Sequence, residues 1–144
     1  MRYQKRGQSF VEFVIICPLV ILLFIGGIVD FGFAFYNIIA LQQIANATAK
    51  WAAESNGTTG RSPSEIETYA TSKKPAWWNT SFKVQSTPDV TMPTGGKAVR
   101  VTLSYESPLY TPFYSTLTTG ISGKPVIPLS VAALYQKPVA VFTR

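Results

Sequence analysis

The sequence predicts an α+β chain, with one long N-terminal helix packed by a small antiparallel sheet of three or four strands. Two observations carry this expectation. Residues 13–29 are seventeen positions without a charge, and Asp30 is the only charge from there to Leu41, which gives an apolar helix of membrane-spanning length. Further on, the apolar period switches from helical to alternating: Val99, Val101, Leu103 and Tyr105 interleave with Arg100, Thr102 and Ser104, as in a strand with one buried face.

Composition narrows the chemistry. The 144 residues suffice for one domain plus an anchor, and 47% hydrophobic content with a mean hydropathy of +0.17 exceeds what a small soluble domain needs. The excess lies in the first third. Net charge is +6, and falls to +3 once Arg2, Lys5 and Arg6 are set aside, with no basic stripe. No nucleic-acid partner is expected. There is no histidine, and the single Cys17 lies in the apolar run as a small hydrophobe. Disulfide frameworks, Cys/His zinc sites and His-assisted nucleophiles are thereby excluded. Beyond the apolar helix the acids are Glu54, Glu65, Glu67, Asp89 and Glu106, and they form no paired motif. Neither a phosphate-binding loop nor a nucleophile elbow occurs. The expectation is a chain without catalysis, cofactor or metal.

Three readings compete for residues 1–41. A secretory signal peptide has a shorter apolar core and a nearby small-x-small cut, whereas the first such tripeptide here is Ala45-Asn46-Ala47. A plain single-pass anchor fits the length, with Arg2, Lys5 and Arg6 holding the N-terminus in the cytoplasm. The third reading uses two further details. Gly7 separates the basic leader from the helix, and Glu12 is the fifth residue after it.

A glycine, a cut and a glutamate at the fifth mature position is the pattern of type IV prepilin-like proteins. The stretch GQSFVEFVIICPLVILLFIGGIVDFG resembles the N-terminal signature of TadE-like pseudopilins of the tight-adherence pilus system, over roughly residues 5–50. A small residue at the cut, VEF, a proline soon after, a Leu/Ile/Val run and an Asp-Phe-Gly ending carry the likeness. One departure is Gln8, where many type IV pilins begin with an aromatic residue. The resemblance implies cleavage between Gly7 and Gln8 by a prepilin peptidase on the cytoplasmic side. It also implies assembly with other pilin subunits through the N-terminal helix, and a pilin-like fold. The implied location is the bacterial inner membrane before assembly, with the head extracytoplasmic, and an extracellular pilus afterwards. The expected divisions are a leader peptide over 1–7, the transmembrane half of the helix over 8–35, its outer amphipathic half over 36–56, and an α+β head over 57–144.

On that reading Glu12 sets register. Cleavage creates an α-ammonium at Gln8, four residues and about 6 Å before Glu12 along a helix. A subunit staggered by that rise brings its neighbour's ammonium to this carboxylate, and a slipped subunit leaves both charges unpaired in a low dielectric. In a plain anchor, Glu12 instead sits at headgroup level near its own helix N-terminus. Pro18 removes one helix hydrogen bond, so a kink is expected there. Gly26, Gly27 and Gly32 would allow close helix approach without forming GxxxG. Asp30, about 33 Å along the helix from Gln8, reads as an interfacial residue.

Past the membrane, Gln43, Asn46, Lys50 and Glu54 form a polar stripe, while Ile44, Ala45, Thr48, Trp51 and Ala52 fill the other face. The helix is expected to run from about Ser9 to Ser55, with Asn56-Gly57 as its stop and a loop over 57–62. Ser62-Pro63-Ser64-Glu65 reads as a capping box opening a short helix to about Ser72, ended by Lys73-Lys74-Pro75. Trp77, Trp78 and Phe82 are expected to cover the long helix. Strands are expected at Phe82 and Val84, at residues 99–105 and at residues 126–135, with a turn at Pro93-Thr94-Gly95-Gly96. Residues 139–142 could extend the last strand. The stretch 105–123, rich in aromatics and prolines, reads as an irregular loop. Three glycosylation sequons, at Asn46, Asn56 and Asn79, carry little weight. The sequence therefore reads as a structural pilus subunit. The alternative is a permanently anchored single-pass protein that binds a ligand outside the membrane, through its 108–118 aromatic segment.

Overall fold

The structure is a computed structural model that describes residues 5–54, 61–78, 81–93 and 95–138, with side chains from residue 10 onward. Arg2, the Asn56-Gly57 stop, most of the 57–62 loop, Thr94, the sequon at Asn79 and residues 139–142 lie outside the described residues. Three helices and three strands follow in the order α1 (Lys5–Ala53), α2 (Pro63–Lys73), β1 (Lys83–Thr91), β2 (Lys97–Pro108), α3 (Pro112–Ser122) and β3 (Val126–Gln136). The expected α+β arrangement holds: a long N-terminal helix and a three-stranded antiparallel sheet in the order β1-β2-β3. The chain groups into two compact units, Met1–Ala34 with Pro108–Ile127, and Phe35–Ser107 with Pro128–Arg144.

The second unit has the core that the alternation on β2 foretells. Val99, Val101, Leu103 and Tyr105 are buried while Arg100 is exposed, as befits a central strand with one inward face. Along α1, Leu41, Ala45, Thr48, Ala49 and Ala52 are buried, whereas Gln43, Asn46, Lys50 and Glu54 face outward. Lys50 and Glu54 pair at 3.7 Å, one helical turn apart. The alanines let α1 lie close to its neighbours. Trp78, 2% exposed, stacks on Tyr105 with ring centroids 4.6 Å apart and donates its indole N–H to Asn37 Oδ1 at 3.0 Å. Asn37 in turn donates to Ser107 Oγ at 2.9 Å, so one buried amide joins α1 to the end of β2 and to the tryptophan. Trp77 is exposed, and its ring lies tilted by 30° to that of Tyr36 with centroids 6.4 Å apart.

β1 is longer than the sequence suggests. Pro88 cannot donate to a ladder, yet β1 continues to Thr91 because the register shifts between Thr87 and Val90, placing Pro88 at a bulge on an edge strand. At the following turn, Gly95 adopts φ 83°, and its N–H bonds Met92 O at 2.9 Å. Asp89, at the bulge, pairs with Lys137 at 2.8 Å, and that hydrogen bond holds its carboxyl below the usual range.

The capping box forms as written in the sequence. Glu65 N–H donates to Ser62 Oγ, and Ser62 N–H donates to Glu65 Oε2 at 2.8 Å. Ile66 and Ala70 are its buried face. The 105–123 stretch departs from expectation: β2 runs on to Pro108, and Pro112–Ser122 is a helix, not an irregular loop. Proline at the first helical position and Gly123 at φ 74° after the last turn supply the start and the stop.

Two consequences are measurable. Asn37→Ala leaves the Trp78 indole and the Ser107 hydroxyl buried without their partner, and should cost about 1–3 kcal/mol in thermal unfolding of the detergent-solubilised protein. An unchanged midpoint would refute a stabilising role for that triad. Ser62→Ala should cost about 1 kcal/mol through lost capping. The bond from the Ser62 backbone, then that from its hydroxyl, lowers the Glu65 pKa below its ordinary 4.5, so this contribution is fully present above 4.5 and fades as pH falls through the lowered folded value. Acid should therefore lower the protection factors of the α2 amides in the wild type, each taken against its intrinsic exchange rate at the same pH, and Glu65→Gln should flatten that dependence.

Candidate processing and assembly segment

The stretch around Gly7 and Gln8 lies within α1 itself. The helix starts at Lys5 and runs through Gly7 and Gln8 without a break, because neither residue disrupts helical hydrogen bonding and no proline intervenes before Pro18. Glu12 follows Gln8 by one turn and is exposed. Helix propensity alone does not account for the next thirty residues. Phe10, Phe13, Leu19, Leu22, Phe24 and Ile28 are all more than 60% exposed. Apolar side chains point outward all round α1, not along one stripe, so this part of the helix suits a surrounding of lipid or of other apolar helices. Phe10–Ala53 is long and apolar enough to cross a membrane, by length and composition. Pro18 lies inside the helix, which continues past it, and Cys17 beside it is a half-buried free thiol.

The first unit contains a second arrangement that the sequence reading missed. Asp30, expected as a simple interfacial residue, is 1% exposed and has protein partners. Its Oδ1 accepts the Tyr110 N–H at 2.8 Å and the Thr111 N–H at 3.2 Å, and Oδ2 accepts the Thr111 hydroxyl. Thr111 is the N-cap of α3 but makes no side-chain cap bond to it, since its hydroxyl goes to Asp30. The carboxylate thus sits at the positive end of α3 and accepts the two backbone N–H groups just before its first turn. Gly26 and Gly27 permit this approach. A Cβ at Gly26 would lie 3.3 Å from Thr111 Cγ2, and one at Gly27 would lie 2.8 Å from Tyr114 Oη. Gly32 has no such neighbour, so the expected close approach holds at two of the three glycines, and it is to α3. Tyr114 donates to Leu23 O at 3.2 Å and meets Phe31 edge-on at 5.8 Å. An apolar cleft of about 470 Å³ opens there between Leu19, Leu22, Ile25, Val29 and Phe113. The signal for this site was present as one acid in an apolar run and a Thr-Pro helix start, eighty residues apart.

Among the described residues no group of three or more His, Cys, Asp and Glu side chains converges to hold a metal ion. Asp30→Ala should leave two amides and a hydroxyl without their charged acceptor, a loss of about 1.5–3 kcal/mol. Amide exchange across 108–122 should then quicken roughly ten- to a hundredfold. Unaltered exchange would mean that α3 is held in place by its aromatic contacts alone.

The sequence profile of the family described as TadE-like protein matches residues 7–50. No curated protein and no solved structure matches the chain. The match begins at Gly7, covers Gln8, Glu12, Pro18 and Asp30, and ends three residues before the last residue of α1. Residues 7–50, which carry nearly all of the long helix, are thus similar to TadE-like proteins.

Proposed function

We propose that this chain is a structural pseudopilin, cut between Gly7 and Gln8 by a prepilin peptidase and then built into, or used to prime, a tight-adherence pilus that could serve adhesion. The observation that carries the reading is the placement of Glu12. It stands five residues after Gly7, within the TadE-like match, on a helix whose large apolar side chains face outward all round. Before cleavage, Arg2, Lys5 and Arg6 keep the leader on the cytoplasmic side of the inner membrane, and α1 anchors the extracytoplasmic head by a single pass. After cleavage the new Gln8 ammonium is as costly in lipid as the Glu12 carboxylate. Helices that pair the two between neighbours remove both costs and fix the axial step between subunits. The exposed side chains around them then exchange lipid contacts for contacts with other pilin helices.

The N-terminal residue of the membrane-extracted protein tests this. Mass spectrometry should find Gln8 first, and the cut should disappear when the peptidase is deleted or when Gly7 is replaced. Glu12→Ala should still be cut. Removing one partner of a buried ion pair costs about 3–5 kcal/mol, so incorporation into filaments should fall by about a hundredfold or more. A chain that keeps Met1 beside an active peptidase would overturn the proposal in favour of a permanently anchored binding protein.

A further inference from the structure

α3 bonds to a part of α1 that lies deep in the apolar run. Tyr114 reaches Leu23 O, and Thr111 meets Gly26 and Asp30. Measured from Gln8, those positions lie about 22–33 Å along the helix, against a hydrocarbon core about 30 Å thick. If α1 spans the bilayer, α3 begins at the level of the outer leaflet. Its composition suits that depth. Residues 107–123 carry no charge, and Lys124 closes the run. Phe113, Leu117 and Ile121 recur every fourth residue on one stripe of α3, and Ile121 is 81% exposed.

The hydroxyl side chains of α3 fold back onto backbone carbonyls. Ser115 and Thr116 donate to Pro112 O, Thr118 to Tyr114 O, Thr119 to Ser115 O and Ser122 to Thr118 O. Tyr114 donates to α1. Each hydroxyl of the helix therefore has a backbone acceptor, which is the condition for placing serine and threonine against hydrocarbon. Asp30 meets the same condition for Tyr110 N–H and Thr111 N–H, which precede the first turn. At eleven residues, about 16 Å, α3 is too short to cross.

We propose that α3 is a second membrane-embedded element, lying in the outer leaflet beside α1 with Phe113, Leu117 and Ile121 against lipid acyl chains. The inference rests on the reading of α1 as membrane-spanning. It assigns the Asp30–Thr111 contact a purpose, that of holding a short uncharged helix at the depth where its apolar stripe is covered.

The test uses the full chain with Cys17→Ser, reconstituted in phosphatidylcholine/phosphatidylglycerol vesicles. Single labelling sites are introduced by Ile121→Cys on α3, Ile15→Cys on α1 and Ser130→Cys on β3, each at an exposed position, and carry an environment-sensitive fluorophore. The expected result is loss of most of the emission at 121 and at 15 with nitroxide-labelled lipid, and quenching by aqueous iodide at 130 alone. Lipid quenching at 15 with iodide quenching at 121 would overturn the placement of α3 and leave the anchor standing. No lipid quenching at 15 would overturn the anchor, and the placement of α3 with it. A probe at 121 shielded from both quenchers would show that protein, such as a second copy of the chain, covers the stripe, and would also overturn the proposal.

Discussion

The constraint on which the rest of this molecule depends is the apolar surface of α1. From Phe10 to Ile39 nearly every large hydrophobic side chain of the helix points outward, and the other described residues do not bury them. Water is therefore the wrong surrounding for this part of the chain, and lipid or other apolar helices are the right one. A helix that is apolar all round gives no directional information by itself. Position along it has to be specified by its few polar residues, and each of these has a distinct circumstance: Glu12 exposed near the start, Asp30 bonded to the segment before α3, and Asn37 bonded to Trp78 and Ser107.

Asp30 and Asn37 work in the same physical way. A buried carboxylate or amide is costly until its lone pairs and protons are met, so each fixes one geometry among many that are equally apolar. Asp30 takes the otherwise unsatisfied amides at the start of α3, and Asn37 takes an indole N–H and gives a proton to a serine. Within its own unit each contact decides which part of the chain lies beside α1. The small residues around them, Gly26 and Gly27 in one unit and Ala45, Ala49 and Ala52 in the other, leave room for that approach.

Local signals in the sequence were followed closely by the fold wherever the partners are near in the chain. The Ser62–Glu65 capping box, the alternation on β2 and the polar stripe Gln43–Asn46–Lys50–Glu54 depend on spacing of a few residues. α3 departs from the loop that its aromatic residues and prolines suggest, because Thr111-Pro112 at one end and Gly123 at the other are ordinary helix start and stop signals. β1 was read short for the opposite reason. Pro88 argues against a strand until a bulge on an edge removes the missing donor from the ladder.

The sequence by itself determined the apolar length of α1, the basic residues before it, the Gly7–Glu12 spacing and the TadE-like pattern, since these depend on residue type and local order. It also determined the α+β class, because periodicity fixes which face of each element is apolar. Only the tertiary structure decided that Asp30 is buried against Tyr110 and Thr111, and that Trp78 completes its hydrogen bonding through Asn37. Those contacts join residues 80 and 41 positions apart. Local preference places no constraint at such separations, and the cost of an unsatisfied buried polar group is settled only when the chain has closed around it.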